Sequence, residues 1–140
     1  MRTITVVCFA NYCRSPVAEK VLKKKFNENY NFISAGIKPI FDGGMDKRSS
    51  LFLNSIGISQ VQHSPKKINK ALVEDSDLIF AIDTMVLAKL NADYSGLKNK
   101  IKLLTYQNPR MRLQDPFNMN NEDYLFIMKK LQSICNDLKL

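Results

Sequence analysis

The chain has 140 residues, a hydrophobic content of 45% and a formal net charge of +8, as expected of one globular domain with its own core. No apolar run approaches the ~18 residues that a membrane helix needs. The short N-terminal run is followed at once by Asn11 and Arg14, which argues against a secretory signal. We therefore expect a single domain over residues 1–140 that is cytoplasmic, does not insert into membranes and keeps its three cysteines reduced.

The basic character of the chain leaves two interpretations open. With 21 Lys and Arg against 13 Asp and Glu, the field of the whole protein would attract an anionic partner, but a solvated basic surface would give the same count. Nucleic-acid-binding domains place basic residues among aromatic ones, whereas here they are scattered apart from Lys23-Lys24-Lys25 and Lys66-Lys67. We expect no nucleic-acid partner.

Apolar runs alternate with helical patterns along the chain, which predicts an α/β fold: one four-stranded parallel twisted sheet with helices on both faces. The strands are predicted at 3–8, 32–34, 78–82 and 102–105, and the helices at 15–29, 46–56, 69–74, 84–91 and 121–138. Ser15 is predicted to cap the first helix, and Gly57 to follow the second. The last helix is predicted to bury one apolar stripe: Leu125, Met128, Leu131, Cys135 and Leu138.

The most informative segment lies between the first strand and the first helix. It reads Cys8-Phe9-Ala10-Asn11-Tyr12-Cys13-Arg14-Ser15 and is followed by Pro16. Backbone N–H groups of such a loop can surround a tetrahedral oxyanion at a helix N-terminus, and Arg14 can donate two hydrogen bonds to it. The same positive field favours a thiolate at Cys8, and a hydroxyl at Ser15 can donate to that sulfur. We expect a phosphate-binding loop, residues 8–15, that takes a phosphoryl group onto sulfur.

Transfer of a phosphoryl group to sulfur also needs a proton donor for the departing oxygen. His63 is the only histidine, and nothing in its local sequence directs it towards a leaving group. Asp115 precedes Pro116 after the fourth strand, at the sheet edge where the phosphate-binding loop lies. An Asp-Pro pair by itself is a common turn. We interpret Asp115 as an acid because the same sequence also contains the cysteine loop. The chain offers no histidine cluster, and we expect no metal and no other cofactor.

With these residues the sequence resembles the low-molecular-weight protein tyrosine phosphatases, particularly their bacterial branch. The resemblance covers nearly the whole chain: the Cys8 to Pro16 loop, Ala18-Glu19, Ser34-Ala35-Gly36, His63, Asp77-Leu78-Ile79 to Asp83, and Asp115-Pro116-Phe117. It implies hydrolysis of phosphotyrosine through a phosphocysteine on Cys8. Arg14 would clamp the phosphate and Ser15 would donate to the thiolate. Asp115 would act first as general acid and then as base for the hydrolytic water.

The resemblance implies further roles for residues around these groups. Asn11, Ser34 and His63, with Ser15, would form a buried hydrogen-bond network that fixes the loop. Cys13 would form a reversible disulfide with Cys8 that protects the nucleophile from over-oxidation, although a buried packing cysteine is an equal alternative. The substrate-binding set would comprise Phe9, Ala10, Asn11, Tyr12, Cys13, Arg14, Ser15 and Phe117. The partner would be a tyrosine-phosphorylated protein, with a bacterial tyrosine autokinase of polysaccharide export as one candidate, and the enzyme would be a monomer or weak dimer.

Three positions depart from the family pattern and keep other functions open. Ala10 stands where glycine is usual, which would be costly if that position needs a positive φ. Tyr12 stands where tyrosine phosphatases have isoleucine and phosphoarginine phosphatases have threonine. Phe117 often has a tyrosine counterpart and keeps an aromatic wall. The alternatives are a phosphoarginine phosphatase, a catalytically weak phosphoprotein-binding module, and an arsenate reductase, whose relay cysteines are missing between Arg14 and Cys135.

Overall fold

A computed structural model describes residues 1–59 and 61–140. Within these residues four strands form one parallel sheet: β1 (Arg2–Cys8), β2 (Tyr30–Gly36), β3 (Leu78–Ala81) and β4 (Ile101–Leu103). Their spatial order is β2-β1-β3-β4. The α-helices are α1 (Ser15–Phe26), α2 (Lys47–Ser55), α3 (Lys70–Asp75), α4 (Thr84–Asp93) and α5 (Asn121–Asp137). The predicted four-stranded α/β fold is confirmed.

The strand order explains where a site can form. The chain leaves β1 towards β2 on one side, and β3 and β4 lie on the other, so right-handed crossovers put α1 and α4 on opposite faces of the sheet. A parallel sheet binds ligands at the carboxyl ends of its strands, at the point where the strand order reverses. Cys8 ends β1 opposite Gly36 of β2, and so lies at that point.

The core is built on both faces of the central strand. Ile4, Val6 and Val7 of β1 are fully buried, as is usual for a parallel strand that is covered by helices. Helices α1, α2 and α5 pack against one another, and α4 packs against β3 and β4. Within the described residues, no helix combines the length and apolar character that crossing a membrane requires.

Two expectations about the helices are wrong. Ser15 does not cap α1: the cap position is Arg14, without a side-chain cap, and Ser15 is the first helical residue. Leu125 does not belong to the buried stripe of α5, since 41% of it is exposed. The other four predicted members, Met128, Leu131, Cys135 and Leu138, are buried as expected. The buried face of the helix also includes Tyr124, Ile127 and Ile134.

Several element boundaries also differ from the sequence prediction. Helix α1 ends at Phe26, because Asn27 adopts a φ of 53° and begins a short 3₁₀ turn through Asn29. Strand β2 is longer than predicted because it pairs with β1 along its whole length, from Tyr30 to Gly36. Strand β4 runs over residues 101–103 instead of 102–105. Pairing with a neighbouring strand, which local sequence does not encode, sets these limits.

Candidate active site

The phosphate-binding loop is held by backbone hydrogen bonds to the segment that follows β2. The amides of Ile37 and Lys38 donate to the carbonyls of Cys8 and Phe9, at 3.1 and 2.8 Å. The left-handed backbone conformation falls on Asn11, with a φ of 55°, and not on Ala10. Asparagine tolerates this region better than most residues. The alanine at position 10 therefore carries none of the cost that a positive φ would impose.

Gly36 allows the loop to approach the sheet closely, which sequence reasoning did not identify. A Cβ at this position would lie 2.8 Å from the Asn11 amide nitrogen and 2.9 Å from the Phe9 carbonyl oxygen. Both contacts are with backbone, which cannot move aside without deforming the loop. The signal in the sequence was a glycine at the end of a buried strand.

The sulfur of Cys8 is paired with the hydroxyl of Ser15. The two atoms, Sγ and Oγ, are 2.9 Å apart, and Asn11 Nδ2 donates to the same Oγ at 2.8 Å. A thiolate can only accept, so when Cys8 is ionised the Ser15 hydroxyl donates to Sγ; the Ala35 carbonyl, another acceptor for this hydroxyl, is 3.4 Å away. Ser15 thus donates to the sulfur and does not cap the helix.

Arg14 is almost completely buried, at 2% exposure, and lies in an ion pair. Its Nη1 donates to Asp83 Oδ2 and to the Leu113 carbonyl, both at 2.7 Å. Asp83 Oδ1 accepts the Val86 amide and so caps α4. Asp83 was not predicted as a site residue; the available signal was an acidic residue at the end of a buried strand. With Nη1 used in this way, Nε and Nη2 remain to bind an oxyanion.

His63 contacts the phosphate-binding loop directly. Its Nε2 is 2.7 Å from the Asn11 carbonyl oxygen, and because a carbonyl only accepts, Nε2 carries the proton. Burial lowers the pKa of His63, which keeps the ring neutral near pH 7. The side-chain oxygen of Asn11 accepts the Lys66 amide at 3.0 Å. His63 and Asn11 therefore lie together, as the sequence predicted.

Ser34 lies in a different group from the one predicted. Its hydroxyl donates to Glu19 Oε1 at 2.7 Å, and no bond joins it directly to Asn11 or His63 among the described residues. Burial alone would raise the pKa of Glu19, but hydrogen bonds from Lys20, Ser34 and Lys23 outweigh it, and the pKa is lowered. The predicted network is thus two groups, and Glu19 is the member that sequence reasoning missed.

A cavity of about 220 Å³ opens above Cys8. Its lining residues are Cys8, Phe9, Ala10, Tyr12, Cys13, Arg14, Ile40, Phe41, Asp115 and Phe117. Asn11 and Ser15 do not appear in this lining, because their side chains form hydrogen bonds beneath the loop; that they bind substrate through the loop backbone stays a prediction. Ile40 and Phe41 were not predicted, since the segment between β2 and α2 shows no periodic pattern.

Three aromatic rings form one side of this cavity, which we call the aromatic wall: Tyr12, Phe41 and Phe117. The Tyr12 and Phe41 rings stack with centroids 4.0 Å apart, and Phe117 lies 5.1 Å from Phe41 and 6.3 Å from Tyr12. Burial raises the pKa of Tyr12, so its phenol stays neutral. Such a wall suits a flat ring inserted beside it.

Asp115 lies in the connection between β4 and α5 and is solvent-exposed at the cavity edge. Its Oδ1 accepts the amide of Phe117 at 3.1 Å, which restrains the carboxylate. The structure therefore brings Asp115, Cys8 and Arg14 to one cavity, although they lie on three separate segments of the chain.

Cys13 also lines the cavity and is buried, and Cys8, Cys13 and Cys135 are free thiols. Burial raises the pKa of the Cys13 thiol to about 12, so it is protonated at neutral pH. A disulfide with Cys8 stays a prediction. Cys135 is fully buried in α5, in agreement with the core position expected of it.

The fold and the cavity together define a class of enzyme, in which a cysteine at the carboxyl edge of a parallel sheet lies beneath an oxyanion site. A family model described as low molecular weight phosphotyrosine protein phosphatase matches residues 3–139. The chain belongs to this family of phosphoric monoester hydrolases. The predictions of family, fold class and enzyme class are confirmed.

Individual relatives agree with this assignment. The probable low molecular weight protein-tyrosine-phosphatase AmsI of Erwinia amylovora is 27% identical over 124 residues, covering 89% of this chain and 85% of the relative. The crystal structure of the AmsI tyrosine phosphatase has a TM-score of 0.88 at 25% identity and covers 96% of this chain and 88% of its own. The mouse low molecular weight phosphotyrosine protein phosphatase is 30% identical and covers 96% of this chain and 91% of the relative.

An arginine phosphatase shares the fold as well. The structure of YwlE arginine phosphatase from Geobacillus stearothermophilus has a TM-score of 0.88 and covers 97% of this chain and 89% of its own. Its sequence identity is 21%, so the similarity concerns the fold alone.

Proposed function

We propose that residues 1–140 form a phosphatase domain that hydrolyses phosphotyrosine in proteins through a phosphocysteine intermediate on Cys8. The observation that carries the proposal is the position of Cys8 Sγ at the floor of a cavity with a buried arginine and an aromatic wall. A phosphate group bound by the loop would lie against the sulfur, with the tyrosine ring along the wall.

In the first step, Arg14 and the loop amides bind the non-bridging oxygens while Cys8 Sγ attacks phosphorus. A sulfur–phosphorus bond forms as the bond from phosphorus to the phenolic oxygen breaks, and Asp115 donates its proton to that oxygen. The support for this role of Asp115 is its place at the edge of the same cavity.

In the second step, Asp115 takes a proton from water, whose oxygen attacks phosphorus. The sulfur–phosphorus bond breaks, inorganic phosphate is released and Cys8 leaves as a thiolate. The Ser15 hydroxyl, 2.9 Å from Sγ, stabilises the negative sulfur that forms at this point. Asn11 fixes that hydroxyl through its own hydrogen bond.

A phosphoarginine phosphatase is the second candidate, because a planar guanidinium can also stack on aromatic rings. The stacked Tyr12 and Phe41 rings of the aromatic wall could pack against the flat group of either substrate. The phosphotyrosine assignment is favoured by the uncharged rings of the wall, which bury a phenyl ring without desolvating a cation.

Arsenate reduction is less compatible with the cysteine positions. A disulfide relay needs accessible thiols after the loop, and the next cysteine after Cys13 is Cys135. Cys135 is fully buried in α5, and burial raises its pKa to about 12. A binding module without turnover would require the cavity to lack a nucleophile or an acid, and the lining includes both Cys8 and Asp115.

For the biological setting we propose a cytoplasmic monomer or weak dimer that acts on a tyrosine-phosphorylated protein, such as a bacterial tyrosine autokinase involved in exopolysaccharide regulation. Free, buried thiols support a reducing compartment. The net charge of +8 supports attraction of an anionic phosphoprotein.

The test is turnover of phosphotyrosine, phosphoarginine and phosphoserine peptides by the wild-type chain and by Cys8→Ser, with circular dichroism to check folding. We expect turnover of phosphotyrosine by the wild type and none by a folded Cys8→Ser variant. Asp115→Ala should slow hydrolysis most for poor leaving groups. A preference for phosphoarginine would replace the substrate assignment, and wild-type turnover by Cys8→Ser would refute the mechanism.

A further inference from the structure

One side chain outside the proposed catalytic groups connects the phosphate-binding loop to the segment that presents Asp115. Arg48, in the first turn of α2, donates from Nε and Nη2 to the two carboxylate oxygens of Asp46, at 3.0 and 2.9 Å. From Nη1 it donates to the Met119 carbonyl at 2.8 Å, and from Nη2 to the Phe117 carbonyl at 3.0 Å. All three guanidinium nitrogens are therefore engaged.

The Asp46 side of this arrangement is fixed to the phosphate-binding loop. The Asp46 amide donates to the Tyr12 carbonyl at 3.0 Å. Ser49, one turn further along α2, donates its hydroxyl to the Cys13 carbonyl at 2.8 Å. The start of α2 is thus bonded to two consecutive peptide groups of the loop. These bonds fix the position of the helix turn that carries Arg48.

The other side is the acid loop, residues 115–119. Its turn is closed by the Met119 amide, which donates to the Pro116 carbonyl at 2.9 Å. Phe117 donates its amide to Asp115 Oδ1 at 3.1 Å and offers its carbonyl to Arg48. Arg48 therefore restrains Phe117, and Phe117 in turn restrains the Asp115 carboxylate.

Burial and stacking make this connection more than a surface ion pair. The side chain of Arg48 is 25% exposed, and its guanidinium carbon lies 3.9 Å from the centroid of the Tyr124 ring, which is itself buried in α5. A partly desolvated, bidentate and stacked guanidinium holds one geometry, which the point charge of a lysine cannot reproduce.

We propose that Arg48 is a positioning residue for proton transfer, which holds the acid loop and so keeps Asp115 above the phosphate-binding loop. The inference rests on the proposed function in one respect, since it assumes that Asp115 is the general acid. Arg48 is not among the described residues that line the cavity, and its effect passes through the Phe117 peptide group.

The first experiment compares two substrates that differ in their need for an acid, phenyl phosphate and p-nitrophenyl phosphate. We expect Arg48→Met to lower kcat/KM about 10-fold or more for phenyl phosphate and only about 2-fold for p-nitrophenyl phosphate, because kcat/KM reports the step in which the leaving group departs, and a good leaving group departs without full protonation. Arg48→Lys should show a weaker but equally selective loss. The matched control is Arg112→Met, since Arg112 lies in the same connection and, within the part of the chain that the structure describes, its side chain bonds only to the Pro109 and Met111 carbonyls.

A second measurement does not depend on activity. The chain contains no tryptophan, so Phe117→Trp places a single tryptophan in the acid loop, and its emission can be excited selectively over that of the tyrosines. Addition of Arg48→Met to this variant should increase acrylamide quenching of the tryptophan, whereas addition of Arg112→Met should not. Thermal melts show whether each variant is folded. If Arg48→Met is not folded, the Phe117→Trp protein is compared with and without Arg48→Lys instead.

The outcomes separate the two proposals. An equal loss on both phosphate esters, or unchanged quenching, would overturn the role of Arg48 while leaving the phosphatase assignment intact. If the wild-type chain hydrolysed no aryl phosphate, the proposed function would fail, and the quenching experiment would still show whether Arg48 holds the loop.

Discussion

The buried guanidinium of Arg14 and the partly exposed carboxylate of Asp83 form an ion pair at 2.7 Å, in which Asp83 joins the end of β3 to the start of α4. A guanidinium that is 2% exposed cannot be left without a partner at acceptable cost. Asp83 therefore sets the orientation in which Arg14 faces the cavity.

Replacement of Asp83 should weaken the phosphatase through Arg14. We expect Asp83→Asn, which keeps an oxygen to cap α4, to lower kcat/KM for p-nitrophenyl phosphate about 10- to 100-fold, because the arginine loses its charged partner and its fixed orientation. Steady-state kinetics and inhibition by inorganic phosphate measure the effect. Asp93→Asn is the control, since among residues 1–59 and 61–140 the Asp93 side chain makes only an exposed pair with Lys89 in the same helix. Equal kcat/KM values in the two variants would contradict this role for Asp83.

Gly36 should not tolerate a methyl group. The Cβ of Gly36→Ala would lie 2.8–2.9 Å from three backbone atoms of the phosphate-binding loop, and we expect a destabilisation of about 1–3 kcal/mol together with a loss of turnover. Urea unfolding and steady-state kinetics measure the two effects. Gly96→Ala is the matched control, because a Cβ there meets nothing within 4 Å. A Gly36→Ala variant as active and stable as Gly96→Ala would show that the loop can move away.

Phe41 should contribute to substrate binding more than to chemistry. Its ring stacks on Tyr12 and lines the cavity, so the loss of the stacked ring in Phe41→Leu should raise KM for a phosphotyrosine peptide about 2- to 10-fold with a smaller change in kcat. The exposed Phe126 of α5, which does not line the cavity, provides the control variant Phe126→Leu. A fall in kcat at constant KM would be incompatible with a binding role.

The stability of the fold should depend on pH through His63. Burial lowers the pKa of His63 below its ordinary value of 6.5, although Glu19 favours the charged ring, while Lys20 and Lys66 oppose it. Between the unfolded and folded pKa values the unfolded chain binds more protons, so stability falls as pH decreases below about 6.5 and this contribution is constant at higher pH.

The variant His63→Gln removes this titration and keeps a donor for the Asn11 carbonyl. We expect its thermal unfolding temperature to change less than that of the wild type between about pH 7 and pH 5. Carboxylates titrate in both proteins, so the difference between the two curves isolates His63. Parallel curves would mean that the histidine keeps the same pKa on unfolding.

Local sequence was sufficient for much of the active-site prediction because the key groups are close together in the chain. Cys8, Arg14 and Ser15 belong to one strand–loop–helix unit, in which the end of a strand and the start of a helix already bring a thiol and a guanidinium to the same place. The sheet and helices followed from hydrophobic periodicity, and Asp115 followed from its position after the fourth strand.

Residues that act through distant neighbours could not be read in this way. Asp83, Gly36 and Arg48 each contact a segment far away in sequence, and their effect depends on strand order and helix packing that bring these segments together. The same reason explains why Ser34 pairs with Glu19 and why Leu125 faces solvent. The type of chemistry can be inferred from the residues alone, because the nucleophile and the anion-binding loop are adjacent in the chain. The orientation of the groups depends on the folded molecule, because contacts between separate elements impose it.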